Sequence, residues 1–243
     1  MNPLDTSLGG SGQNFPPTTT ELTERLRSPA DPAYRQGLEN LCRDYWRPVY
    51  VFLRKAAGRS NEDAKDLTQA FFAWLLEGEA LRSYAPEKGG FRPFLKTLLR
   101  RFVSHVDEAA GALKRGGGRR PLSLEGFGEG VELPGGESDA DALFEQAWRN
   151  EVVGRALETV RRQRRAQGDG TAVEIYEAFV WGPPEGRPSY ADLARTHGCL
   201  VSDVKACLVR VRRAVREEVR RELARLTASD ADLAGEWNEL FRG

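Results

Sequence analysis

The sequence predicts an all-α fold of two small helical domains joined by a flexible linker, and three observations carry that prediction. Apolar residues recur at three- and four-residue steps through every patterned stretch, the spacing of one buried helix face. No stretch alternates apolar and polar residues between hairpin turns, as a half-buried strand would. Helical periodicity is interrupted across residues 111–136, where Gly116-Gly117-Gly118, Pro121 and Pro134 stand among acidic residues. At 243 residues, 40% hydrophobic and 30% charged, the chain can fill two compact cores.

Residues 1–20, rich in Gly, Ser, Pro and Thr, read as a disordered leader. Leu38, Leu41, Cys42, Tyr45, Val49, Phe52 and Leu53 form the first helical stripe, with Pro48 marking a kink or boundary. The next helix starts near Ser60, its first turn carrying Asn61, Glu62 and Asp63 at the positive end of the dipole. Its stripe is Ala64, Leu67, Phe71, Trp74 and Leu75. After a loop with Pro86, Gly89 and Gly90, Phe91, Phe94, Leu95, Leu98, Leu99, Phe102 and Val103 define a third helix. Its opposite face is basic, so an exposed cationic surface is expected there. The spacing of Phe91, Phe94 and Phe102 fits core rather than base stacking. Beyond the linker, Leu143, Phe144, Trp148, Val152, Ala156, Leu157 and Val160 open the second domain, followed by Val173, Ile175, Tyr176 and Phe179. Leu233, Trp237, Leu240 and Phe241 form a last helical stripe expected to pack back on that domain.

Lysine plus arginine equals aspartate plus glutamate at 36 each, so net charge names no partner. Distribution is more informative. Basic clusters at residues 92–120 and 205–225 flank an acidic bridge containing Glu125, Glu129, Glu132, Glu137, Asp139, Asp141 and Glu145, a pattern suited to two nucleic-acid contacts. Cys42, Cys199 and Cys207 are an odd set without a CxxC pair, which fits a reducing compartment and predicts no metal. Neither a signal peptide nor a membrane span is visible, so a cytoplasmic location is expected. Two distant histidines, no GxSxG, no phosphate loop and no paired-carboxylate motif argue against an enzyme, and no cofactor is expected.

Residues 189–215 carry the sharpest local pattern. Ser189 with Asp192 fits a capping box, His197-Gly198-Cys199 a turn, and Ser202 the cap of a longer basic helix. Two helices joined through a Gly turn, the second strongly basic, make a helix-turn-helix whose second helix enters the major groove.

The segment "SYADLARTHGCLVSDVKACLVRVRRAVREEV" resembles the promoter-reading region 4 of extracytoplasmic-function sigma factors, small members of the sigma-70 family. "NEDAKDLTQAFFAWLL" is similar to their region 2.2, and "GGFRPFLKTLLRRFVSHVDEA" to regions 2.3 and 2.4. "KRGGGRRPLSLE", "LFEQAWRNEVVGRAL" and "DLAGEWNELF" are similar to a planctomycete-like subgroup. The resemblance runs from about residue 38 to the C-terminus.

It implies a sigma region 2 helical bundle at 21–112, a linker at 113–140 and a region 4 helix-turn-helix with a C-terminal helical tail at 141–243. The implied function is transcription initiation: binding RNA polymerase core through its beta-prime clamp and beta flap, and recognising promoter DNA. Asp63, Asp66 and Gln69 fall at the family's core-binding places. Lys65 and Ala70 stand where the family tends to have Glu, and Thr68 lies within the motif. A phosphate there would add about two negative charges, making Thr68 a candidate phosphosite. Tyr84 and Arg101 match positions that touch the captured minus-10 strand, with Lys96, Arg100, Lys114 and Arg115 as phosphate contacts. Lys205, Ala206, Val209, Arg210 and Arg213 match the minus-35 groove face, where Asp203, Ala206 and Cys207 depart from the commoner pattern. An anti-sigma factor or a Ser/Thr kinase would fit as a regulator. A helix-turn-helix regulator that binds an operator without polymerase is the alternative, as is a module that sequesters a sigma factor.

Overall fold

The computed structural model describes residues 32–56, 58–77, 80–85, 88–114, 139–182, 184–227 and 230–241. The expected leader, nearly all of the linker, Arg115 and the side chain of Lys114 lie outside the described residues. The helices are α1 (Pro32–Ala56), α2 (Asn61–Glu77), α3 (Phe91–Lys114), α4 (Asp139–Ala166), α5 (Gly170–Val180), α6 (Tyr190–His197), α7 (Val201–Leu226) and α8 (Asp230–Phe241). Short 3-10 turns occupy Ala80–Ser83 and Pro184–Gly186. No strand occurs among the described residues, so the chain is all-α. None of their helices is long and apolar enough to cross a membrane.

Pro48 does not end a helix, because α1 runs through it to Ala56 and buries it beside Val49. Helix α2 starts where its sequence says: the Asp63 amide donates to Ser60 Oγ at 3.2 Å, satisfying one of the open N–H groups of the first turn. Leu41, Tyr45, Val49, Phe52 and Leu53 of α1 meet Phe71, Trp74 and Leu75 of α2 and Leu95, Leu99 and Phe102 of α3. The ring of Phe71 meets that of Phe102 edge-on at 5.4 Å.

The linker does not separate two cores. Helix α4, expected to open an independent second domain, packs most extensively on α1. Four pairings fix its direction: Lys55 with Asp139, Phe52 with Phe144, Arg47 with Glu151 and Arg155 with Asp44. As α1 numbers fall, α4 numbers rise, so the two helices are antiparallel. Phe144, Trp148 and Val152 therefore complete the apolar core of the first three helices. The remaining length of α4 meets α7 and α5, and at 28 residues it spans about 42 Å.

A second, smaller core of Ile175, Leu193, Ala194, Val204 and Leu208 holds α5, α6 and the start of α7 together. Further along α7, Val211, Val215, Val219 and Leu223 join the main core. Helix α8 packs against α7 as its stripe predicts, with Leu240 buried and Leu233 and Trp237 half-buried. The Arg216 guanidinium lies 5.3 Å from the ring centres of both Trp237 and Phe241.

Candidate nucleic-acid interface

Helices α6 and α7 follow one another across a short turn at 198–200, the order of elements that a helix-turn-helix requires. Ser189 Oγ accepts from the Asp192 amide at 3.1 Å, and the Ser189 amide donates to Asp192 Oδ2 at 3.1 Å, a complete capping box. The Ser189 hydroxyl donates to Asp192 Oδ2 at 2.6 Å, and this bond, with the one from the Ser189 amide, holds the Asp192 carboxyl below its ordinary range. Gly198 closes α6 in the left-handed region at φ 63°, where a Cβ is unfavourable. Its geometry lets the Cys199 amide donate to the Ala194 carbonyl at 3.0 Å.

Helix α7 begins one residue before the expected cap. Leu200 is the capping position, and its amide donates to Asp203 Oδ2 at 3.0 Å, while Ser202 lies inside the first turn. Asp203 thus helps to start the helix.

The five residues expected in the groove, Lys205, Ala206, Val209, Arg210 and Arg213, are all exposed, and their one- and four-residue steps put them on one face of α7. Val209 is 68% exposed, unusual for a β-branched apolar side chain on a helix whose other face is well packed. Lys205 Nζ sits 5.9 Å from the Tyr190 ring centre, and that ring packs on Phe179 at 5.2 Å. Arg213 pairs with Glu217 at 3.0 Å and Arg210 with Asp169 at 3.5 Å. Such surface pairs contribute about 0–1 kcal/mol, so both guanidinium groups can exchange partners.

The second expected surface is arranged differently. Arg92, Lys96 and Arg100 lie at four-residue steps on one face of α3, but that face is covered. Arg100 pairs with Asp141 at 2.7 Å and Lys96 with Glu145 at 2.6 Å. Arg92 pairs with Glu145 and Glu239, lies 2.7 Å from Glu236, and rests 4.2 Å from the centre of the Trp148 ring. Arg92 is only 4% exposed. The order 100 with 141, 96 with 145 and 92 with 148 makes α4 antiparallel to α3 as well, seated between α3 and α1. The expectation of an outward basic face is corrected here: Lys96 and Arg100 are engaged by carboxylates and both are partly covered. Burial raises the Glu236 carboxyl above its ordinary range despite the pull of Arg92.

Tyr84 is also displaced from its expected role. It is 3% exposed, packed edge-on against Phe91 at 5.3 Å and beside Phe94 at 5.2 Å, because a ring in that loop closes the end of the first core. Arg101 is half-buried on α3. On α2, Asp63, Asp66 and Gln69 are exposed at three-residue steps, and Asp63 also accepts from the Ser60 hydroxyl at 2.8 Å.

The phosphosite expectation at Thr68 is overturned by burial. Thr68 is fully buried, with Oγ1 donating to the Ala64 carbonyl at 2.7 Å. A kinase cannot reach it in the folded chain, and the core has no room or solvation for a phosphate dianion.

Sequence reading treated Asp141 and Glu145 only as part of an acidic bridge and did not single out Glu236 or Glu239. Their signal was the matched spacing: Asp141 and Glu145 stand four apart, as do Lys96 and Arg100. A scan against protein-family models and searches of curated proteins and solved structures found no match to this chain.

Proposed function

We propose that this chain is an RNA polymerase sigma factor of the extracytoplasmic-function type, which binds core polymerase and directs it to promoter DNA. The observation that carries the reading is the α7 face: Lys205, Ala206, Val209, Arg210 and Arg213 exposed together on the second helix of a capped helix-turn-helix. Such a face presents guanidinium forks suited to guanine and an apolar side chain suited to the thymine methyl group. The motif order around it supports polymerase as partner, with Asp63, Asp66 and Gln69 as the exposed acidic and amide contacts for a basic surface. In this reading the α3 cations, including Lys96 and Arg100, meet the phosphates of the minus-10 region once α4 has left them.

Run-off transcription with purified chain, bacterial core polymerase and fragmented genomic DNA of the source organism tests the proposal. Discrete transcripts that require both proteins support a sigma factor. Sequence-selective DNA binding without transcripts, and without retention of core polymerase, leaves an operator-binding regulator instead.

A further inference from the structure

The closed packing of α4 on α3 has the form of an internal competitor. Three cations at four-residue steps on α3 meet Asp141 and Glu145 of α4, with Glu236 and Glu239 of α8 closing over Arg92. Asp141 is fully buried and Glu145 is 7% exposed. These are not loose surface pairs. A row of evenly spaced anions is what the same cations would find along a nucleic-acid strand, and here carboxylates already occupy the donors that a phosphate would need.

We propose that Asp141 and Glu145, sealed by α8, form a carboxylate clasp that keeps Arg92, Lys96 and Arg100 from nucleic-acid phosphate, so that the free chain engages DNA through the α7 face alone. The clasp rests on reading α3 and α7 as DNA surfaces, and it adds how one of them is held off. Helix α8 contributes by bridging two helices: its carboxylates reach α3 while its aromatic rings lie against Arg216 of α7.

Counting phosphates by salt dependence distinguishes the two surfaces. For duplex DNA, log affinity falls with log salt by about 0.9 per phosphate contact. Binding of the full chain to a short duplex of arbitrary sequence, followed by fluorescence anisotropy over a salt series, gives that slope. Arg210→Ala or Arg213→Ala is expected to lower it by about 1, whereas Arg100→Gln with Asp141→Asn, which exchanges the buried ion pair for an amide pair, leaves it unchanged. Glu145→Lys sets a further cation against Arg92 and Lys96 and forces the row open. Its slope should steepen by roughly 2 to 3 relative to Glu158→Lys, which makes the same charge change at an exposed position of the same helix. Where circular dichroism shows Glu145→Lys to be unfolded, Asp141→Asn with Glu145→Gln replaces it, with a steepening in the same direction.

A slope lowered by the Arg100→Gln, Asp141→Asn pair would overturn the clasp, because the row would already be touching phosphate. So would an opening variant that binds with the slope of Glu158→Lys. If the α7 substitutions leave the slope untouched, it is the DNA-binding role of the helix-turn-helix that fails, and the α3 variants still judge the clasp separately.

Discussion

Arg100 and Asp141, 41 positions apart and on opposite sides of the linker, close a 2.7 Å ion pair in which the aspartate side chain is fully buried while that of the arginine keeps about a third of its surface. The asymmetry sets the cost of breaking it. Removing the arginine leaves a charge that water cannot reach, whereas removing the carboxylate leaves one that can partly rehydrate. Arg100→Ala should therefore destabilise the chain by about 3–5 kcal/mol, and Asp141→Asn by distinctly less, in urea denaturation monitored by circular dichroism. Equal losses would show that Asp141 finds another cation.

Thr68 offers a test of burial against modification. Thr68→Val keeps the shape and loses one hydrogen bond to the Ala64 carbonyl, costing about 1 kcal/mol. Thr68→Glu inserts a longer, charged side chain at a fully buried position and should destabilise by several kcal/mol. Thermal melts of the two variants check this, and a Thr68→Glu protein as stable as wild type would return the site to the surface.

Gly198 holds the turn of the helix-turn-helix at φ 63°, and a Cβ placed there would meet no neighbouring atom within 4 Å. Any cost of substitution is thus conformational rather than steric crowding. Gly198→Ala should cost about 1–2 kcal/mol and Gly198→Asn less, because asparagine adopts the left-handed region more readily. Chemical denaturation of both variants measures the difference.

The Asp192 carboxyl sits below its ordinary value because Ser189 donates to it. A lowered folded value means that its stabilising effect is present above the ordinary 3.8 and is lost as pH falls through the lowered value. Acidification through that window should release the start of α6, seen as movement of the Ser189 and Asp192 amide resonances in an NMR titration. In Asp192→Asn those resonances should stay still over the same window.

On the proposed function, Arg210 and Arg213 are expected to differ in what they read. If one grips a guanine through both nitrogens, its replacement by Ala costs about 1–3 kcal/mol on the selected promoter and relaxes preference at one base. The other, acting on phosphate, should weaken all sequences alike. Competition binding against single-base variants of the minus-35 site separates them.

The helices and their ends were legible because the signals are local. Ser189, Asp192 and Gly198 name the capping box and the turn within ten residues, and the stripe from Leu41 to Leu53 identifies the buried side of α1. The five exposed residues of α7 were indicated by the resemblance to region 4. What escaped sequence reading depends on partners brought together by the fold. Nothing near Arg92 in the chain announces Glu145 or Glu236, so its basic face looked outward. Tyr84, in a loop, had no periodicity to mark it as core, whereas Thr68, four residues after Ala64 and three before Phe71, stands on the buried stripe of its own helix and looked like a surface site only because it is polar. Asp203 was read for what it does to DNA, when its nearest relationship is to the Leu200 amide.

Phe144 and Trp148, both at most 1% exposed, ride on the same turns of α4 as Asp141 and Glu145. Lifting those carboxylates from α3 therefore returns two large rings to water, at about 1.5–3 kcal/mol each. At roughly 1.4 kcal/mol per factor of ten, that alone holds the open form to about one molecule in a hundred to one in ten thousand. A partner that shifts this population must bring an apolar seat for α4 as well as phosphate for α3, so DNA by itself is a weak key and a protein surface the stronger one.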